Sequence, residues 1–206
     1  MARKGLIMDW GGVMTTSLFA SFAAFDRASG LADGTVKQAF RTDPEARAAL
    51  DDLECGRATV AQFEERFAAV LGLDTGDGLA LRLFSGVGPD DAMLDAVEAF
   101  RAAGVRTGLL SNSWADESYD RGRFATLFDV LVISGEEGMR KPDPRIYELA
   151  VERMGLAAQE LVFVDDIGGN LKVPRAMGIH TVLHVDAATT LAELQDVLGV
   201  QLPAAA

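Results

Sequence analysis

At three places in this chain a run of apolar residues ends on side chains that can do chemistry, and a further such side chain stands just outside them. Asp9 follows the run at 5–8, Ser111 and Asn112 follow 105–110, and the adjacent pair Asp165 and Asp166 follows 161–164. Lys141 stands in Arg-Lys-Pro-Asp-Pro, ahead of the helical pattern that leads into the last of these runs. A carboxylate can act as a nucleophile, a lysine can neutralise an anion, and a hydroxyl or side-chain amide can hold an anion's oxygens. Two adjacent carboxylates repel each other unless water or a shared cation relieves them. Each residue also has a plainer use. An aspartate after a strand is an ordinary turn or cap residue, Ser-Asn is a common cap, and Lys-Pro-Asp-Pro is a common helix entry. What favours chemistry is acid, hydroxyl-amide, lysine and acid pair recurring together at the ends of buried segments.

The elements that would position them read as alternating strands and helices. Short runs of flat hydrophobicity at 5–8, 105–110, 130–133, 161–164 and 181–185 suggest strands buried on both faces, as in a parallel sheet. Amphipathic stretches lie at about 91–103, 116–126, 143–154, 170–177 and 189–198. Pro142 and Pro144 bracket Asp143 and mark the start of the third of these. Such alternation implies a doubly wound α/β domain, whose ligands bind beyond the carboxyl ends of the strands. The candidate residues stand there. From about Ser17 to Gly86 the rhythm breaks and no buried strand appears. Helical patterns replace it, among them Phe19, Phe22 and Phe25, then Phe63, Phe67, Val70 and Leu71, with Thr59 and Gln62 spaced as a capping box. This predicts a helical subdomain at 17–86 inserted into a core of 1–16 and 87–206, with the phenylalanines as its core.

Composition narrows the partners. The 206 residues carry 19 basic and 31 acidic side chains, a net charge of −12, with no basic block to meet a nucleic acid. A small phosphorylated ligand is compatible, provided a metal or a placed cation meets its charge locally. No apolar run approaches the ~18 residues of a membrane span, and Asp9 interrupts the apolar start too early for a signal peptide. The lone Cys55 cannot form an internal disulfide. These features suggest a cytoplasmic protein. His180 and His184, with no third ligand in spacing, read as structural or surface residues.

Asp9-Trp10-Gly11-Gly12-Val13, Leu110-Ser111-Asn112, Lys141-Pro142 and Val164-Asp165-Asp166 resemble the four ordered motifs of the haloacid dehalogenase-like hydrolases. The segments around Ser111 to Trp114, Gly138 to Pro142 and Phe163 to Lys172 are most similar to one branch. That branch is the N-terminal phosphatase domain of soluble epoxide hydrolases and its bacterial relatives. The resemblance implies a sheet of order 5-4-1-2-3 and identifies the inserted helices with the family's cap. Leu53-Glu54-Cys55-Gly56-Arg57 resembles a turn of that cap. It also implies roles: Asp9 as nucleophile, Lys141 paired with it, and Asp165 orienting the lysine or a water. Mg²⁺ would be held by Asp9, the backbone carbonyl of Gly11 and Asp166. Ser111, Asn112 and Gly12 would line the phosphate site, and the substrate would be a small phosphate monoester taken by a monomer or homodimer.

One departure matters. Most phosphatases of the family place a second aspartate two residues after the nucleophile, as general acid, and this chain has Gly11 there. A general acid typically contributes 10²–10⁴-fold. Three outcomes stay open: a slow or selective phosphatase, an enzyme whose acid comes from the cap or substrate, or a catalytically weak phosphometabolite-binding protein. Phosphonoacetaldehyde hydrolases also lack this acid but need a cap lysine, for which Lys37 is the candidate by position. Haloacid dehalogenases lack it too, but work without metal and without the aspartate pair that Asp165 and Asp166 supply.

Overall fold

A computed structural model describes residues 3–113 and 121–203. Five strands form one parallel sheet: β1 (Gly5–Met8), β2 (Arg106–Ser111), β3 (Val130–Ile133), β4 (Leu161–Asp165) and β5 (His180–Leu183). Their spatial order is β3-β2-β1-β4-β5, the order that the resemblance implies. Register aligns Met8 with Leu109 on one side and Val164 on the other, so the chain leaves β1, β2 and β4 at one edge.

Alternation along the central strands feeds two apolar layers. Leu6, Met8, Val162 and Val164 point to one face, with Met93, Val97, Phe100, Leu194 and Leu198 packed over them. Ile7, Leu161 and Phe163 point to the other, under Ile146, Tyr147, Ala150 and Met154. Burying a side chain such as Phe100 in these layers contributes roughly 1.5–3 kcal/mol.

Between β1 and β2 run α1 (Leu18–Ala28), α2 (Thr35–Thr42), α3 (Pro44–Glu54), α4 (Val60–Leu71), α5 (Leu79–Phe84) and then α6 (Asp91–Ala102), which returns to the sheet. The first five enclose their own apolar cluster of Phe22, Phe25, Val36, Phe63, Phe67 and Leu79, among others. Asp43 caps α3 by accepting from Ala46 N, and Thr59 and Gln62 make the capping box at α4. Of the predicted phenylalanine stripe, Phe19 lies outside this core, 41% exposed, with Lys37 Nζ 4.6 Å from its ring centroid. The two crossings between these helices and the sheet are tied together. Thr16 N donates to Gly88 O (2.8 Å) and Asp90 N to Met14 O (3.0 Å), beside a Thr15–Pro89 bridge.

The remaining helices are α7 (Arg121–Leu127), α8 (Ser134–Glu137), α9 (Pro144–Met154), α10 (Lys172–Ala176) and α11 (Ala187–Leu198). Several differ from the sequence reading. The predicted helix at 116–126 begins outside the described residues, and α8 was not foreseen, being one turn long. Helix α11 starts two residues early because Asp186 caps it, accepting from Thr189 N at 2.8 Å. Strand β5 sits one residue earlier than predicted and ends at Leu183, leaving Val185 65% exposed. As an edge strand it pairs only with β4, so apolar content sets its limits weakly. His180 therefore opens the strand, its ring beside Arg3 and Glu193, while His184 meets the Thr190 hydroxyl.

Candidate active site

The parallel sheet brings the ends of β1, β2 and β4 side by side, and the candidate residues converge there. Asp9, one residue past β1, is fixed by its own N–H, which donates to Val164 O at 2.9 Å. Its carboxylate Oδ1 accepts from Trp10 N (2.7 Å) and lies 2.8 Å from Lys141 Nζ. Lys141 Nζ also donates to Asp165 Oδ2 at 2.8 Å, which places one ammonium between two carboxylates. All three side chains are buried. Asp166, half-buried, completes the group: Asp9, Asp165 and Asp166 each offer an oxygen within 4.8 Å of the others.

Neighbouring residues hold this cluster in place. Asn112 clamps the backbone of Lys141, accepting from its N–H with Oδ1 (2.8 Å) and donating from Nδ2 to its carbonyl (3.1 Å). That leaves one Nδ2 hydrogen for a ligand. Asp165 accepts from Ile167 N (2.8 Å) and from Asn170 Nδ2 (3.1 Å to each oxygen). Asn170 is anchored in turn by Tyr147, whose hydroxyl donates to its carbonyl at 2.8 Å. Ser111, buried, ends β2 beside this cluster. Next to it Ser113 N donates to Ser134 Oγ (2.8 Å), joining the β2 and β3 ends.

The two glycines after Asp9 differ. Gly12 has φ +79°, a left-handed conformation, and a Cβ there would stand 2.6 Å from Asp166 Oδ2. Its N–H donates to Thr15 Oγ1 at 2.9 Å. At Gly11 the nearest atoms to a Cβ would be those of the Leu18 side chain, at 3.0 Å and beyond.

Charge at the site is unbalanced. Burial, with Asp165 and Asp166 nearby, pushes the Asp9 carboxyl up to about 7 despite Lys141. Asp166 is raised to about 6, by burial first and then by Asp165. Lys141 loses solvation by burial, but Asp165 and Asp9 more than compensate and hold it charged above its ordinary value. Three carboxylates facing one lysine form a site with room for a further positive charge, and oxygen donors of this kind suit a hard divalent cation.

From the helical layer, the turn after α3 reaches this end of the sheet. A Cβ on Gly56, at φ +68°, would stand 2.7 Å from Gly135 O. Gly135 N in turn donates to Ser113 O at 2.9 Å. Glu54, buried at the end of α3, lies with Oε2 3.0 Å from Arg140 Nε, next to Lys141. Between α3 and the loop carrying Lys141 opens a cleft of about 640 Å³, bordered by Phe40, Leu50, Arg47, Cys55, Met139 and Arg145, among others. The sequence reading gave no role to Asn170, Arg140 or Glu54. Asn170 lay within the motif that follows Asp166, and Glu54 within the recognised cap turn; nothing in their spacing tied either to the lysine. Of the two tryptophans flanking the motifs, Trp10 packs edge-on to Phe124, and Trp114 lies outside the described residues.

The sequence model of the haloacid dehalogenase-like hydrolase family matches residues 3–178. Bifunctional epoxide hydrolase 2 of Sus scrofa is 42% identical over 117 residues, 53% of this chain but only 21% of that protein. The chain thus spans about a fifth of that relative's length. A sesquiterpene phosphatase of Aspergillus oryzae is 28% identical over 203 residues, 95% of this chain and 97% of its own. A haloacid dehalogenase-family enzyme of Bacteroides thetaiotaomicron, solved in complex with magnesium and inorganic phosphate, has a similar fold. Its TM-score is 0.66 at 23% identity, covering 89% of this chain and 95% of that one. Among the described residues no helix is long and apolar enough to cross a membrane.

Proposed function

The chain belongs to the haloacid dehalogenase-like hydrolases, and from that premise we propose that it is a magnesium-dependent phosphatase acting on a small phosphate monoester through Asp9. The observation that carries the reading is Lys141 Nζ, 2.8 Å from both Asp9 and Asp165, with Asp166 beside them. Asp9 attacks phosphorus, the bond to the leaving oxygen breaks, and an aspartyl-phosphate forms. Water then attacks that phosphorus, releasing phosphate and restoring Asp9. Lys141 neutralises charge on the nucleophile and on the transferring oxygens, work that is mostly positioning and electrostatics. Asp165 and Asn112 act on Lys141, one through its ammonium and the other through its backbone. Ser111 and the remaining Asn112 hydrogen face the phosphate, and Gly12 contributes the space that a side chain would take from Asp166.

The donor set fits Mg²⁺, with Asp9, Asp166 and the Gly11 carbonyl as holders. Bound there, the cation would offset the repulsion between the carboxylates and the charge building on the phosphoryl group. Residues 17–86 form the cap over a core of 1–16 and 87–206, and the leaving group lies toward the cleft between α3 and the Lys141 loop. The sesquiterpene phosphatase relative adds prenyl-type alcohols to the leaving groups worth testing.

Hydrolysis of p-nitrophenyl phosphate, followed with and without Mg²⁺, tests the reading, because its leaving group barely needs an acid. The expected result is Mg²⁺-dependent turnover that Asp9→Asn abolishes. Turnover surviving in Asp9→Asn would place the chemistry elsewhere. No turnover from folded wild-type protein, with phosphate still raising its thermal midpoint, would favour a binding protein.

A further inference from the structure

Gly11 stands where most of the family's phosphatases carry their acid, so efficient departure of an alkyl alcohol needs a proton from another group. Most carboxyls around the cleft are committed. Asp51 and Asp52 pair with Arg57, Asp143 pairs with Arg145, and Asp165 is saturated by Lys141, Ile167 N and Asn170. Glu54 is different. It is 8% exposed, and its Oε2 is buried without a hydrogen-bond donor. Arg140 Nε lies 3.0 Å away, but its hydrogen goes to Lys141 O at 3.3 Å. A buried carboxylate oxygen left without a hydrogen bond is costly; Arg140 offsets part of that cost for the ionised form, and a protonated oxygen there avoids more of it. The turn that carries Glu54 packs against Gly135, beside the β2 end, and its ion contact is with the residue next to Lys141.

We propose that Glu54 is the acid–base group of this enzyme, reaching over from the cap to the oxygen that leaves Asp9's target phosphorus. The proposal rests on the phosphatase reading above. As Asp9 bonds to phosphorus, the bond to the alcohol oxygen breaks and its electron pair takes the Glu54 proton, so the alcohol departs neutral. Glu54, now a carboxylate, removes a proton from the attacking water as that oxygen bonds to phosphorus. The bond to Asp9 then breaks, and phosphate, the Asp9 carboxylate and protonated Glu54 are left.

The electrostatics agree with this role. Burial raises the Glu54 carboxyl above the usual range, Arg140 and Lys141 oppose that, and Asp51 on its own helix adds to it. On the packed α8, Glu137 is engaged by Arg153 and Glu136 is exposed. Because the acid form is the active one for alcohol departure, kcat/KM on alkyl phosphates falls as pH rises through the Glu54 pKa.

The test compares kcat/KM, which reports events up to alcohol departure, for p-nitrophenyl phosphate and for a simple alkyl phosphate. In Glu54→Gln the alkyl value is expected to fall by about 10²–10⁴-fold, the span of a lost general acid, and the aryl value by at least tenfold less. The alkaline fall in the alkyl profile disappears. Gly11→Asp added to Glu54→Gln restores alkyl turnover, the first carbon of its side chain meeting the flexible Leu18 tip at 3.0 Å. Equal losses on both substrates in a variant with wild-type thermal midpoint would overturn the proposal, making Glu54 a cap-positioning residue. So would an unchanged alkyl rate. Wild-type aryl turnover persisting through either result keeps the phosphatase reading intact, whereas its absence would remove both.

Discussion

Around Lys141 the structure concentrates more negative than positive charge, and each residue's part can be tested through that imbalance. Gly12 is the most direct case. An added methyl would sit 2.6 Å from Asp166 Oδ2 on a backbone at φ +79°, so either the loop or the carboxylate must shift. Gly12→Ala is expected to raise the Mg²⁺ concentration for half-maximal activity by tenfold or more, equivalent to ~1.4 kcal/mol. Calorimetric Mg²⁺ titration checks it, and unchanged affinity would remove Asp166 from the metal site. At this scale the strand-end residues were readable, because a polar residue ending a buried strand has one place to go. Asn112 and Gly12 were harder: the amide turns largely to the Lys141 backbone and the Gly12 N–H to Thr15. The first partner belongs to another loop, and the second, Thr15, lies three residues on in the same loop, outside the motif. No spacing within the Leu110-Ser111-Asn112 or Asp9-to-Val13 segments encodes them.

Elements decide where the helical layer meets the sheet. The turn between α3 and α4 does so through Gly56, which needs a left-handed backbone and a bare Cα against Gly135 O. Gly72, closing α4 at the same φ of +68°, has open space around it. The pair separates backbone strain from contact. Alanine at either site is expected to cost about 1–2 kcal/mol for the left-handed conformation, measured by denaturant unfolding. Only Gly56→Ala also lifts the Glu54 turn, so its kcat/KM should fall tenfold or more while Gly72→Ala keeps wild-type turnover. Equal activity in both would mean that the turn does not help build the site. Sheet elements with two buried faces were legible from flat hydrophobic runs. The exact limits of β5, the one-turn α8 and the Asp186 start of α11 were not, since a strand end, a single turn and a cap three residues ahead leave weak hydrophobic patterns. Glu54 was hidden for a related reason: its helix is amphipathic wherever it docks, and only docking sets it beside Arg140.

At the scale of the whole molecule the apolar interior is divided. Two layers cover the faces of the sheet, and a separate cluster fills the helices between β1 and β2. The two crossings are tied by the Thr16–Gly88 and Asp90–Met14 hydrogen bonds rather than by a shared core. Such a layout predicts that the helical cluster and the sheet respond separately to perturbation. Phe67, fully buried, stacks on Phe40 at 4.4 Å and on Phe63 at 5.4 Å; its truncation to alanine should cost about 3–5 kcal/mol. In the proposed site Mg²⁺ would bind at the strand ends and stabilise what it touches by mass action. In urea, with near-ultraviolet dichroism reporting tertiary packing and amide exchange reporting each layer, Phe67→Ala is expected to advance the opening of α1–α5 while the strands keep their protection. Mg²⁺ is expected to delay opening of the strands with little effect on α4. If Phe67→Ala instead lowers protection of both layers equally, the inserted helices and the sheet form one cooperative unit. Residues 17–86 would then be a layer of the core and not a cap that can move on it.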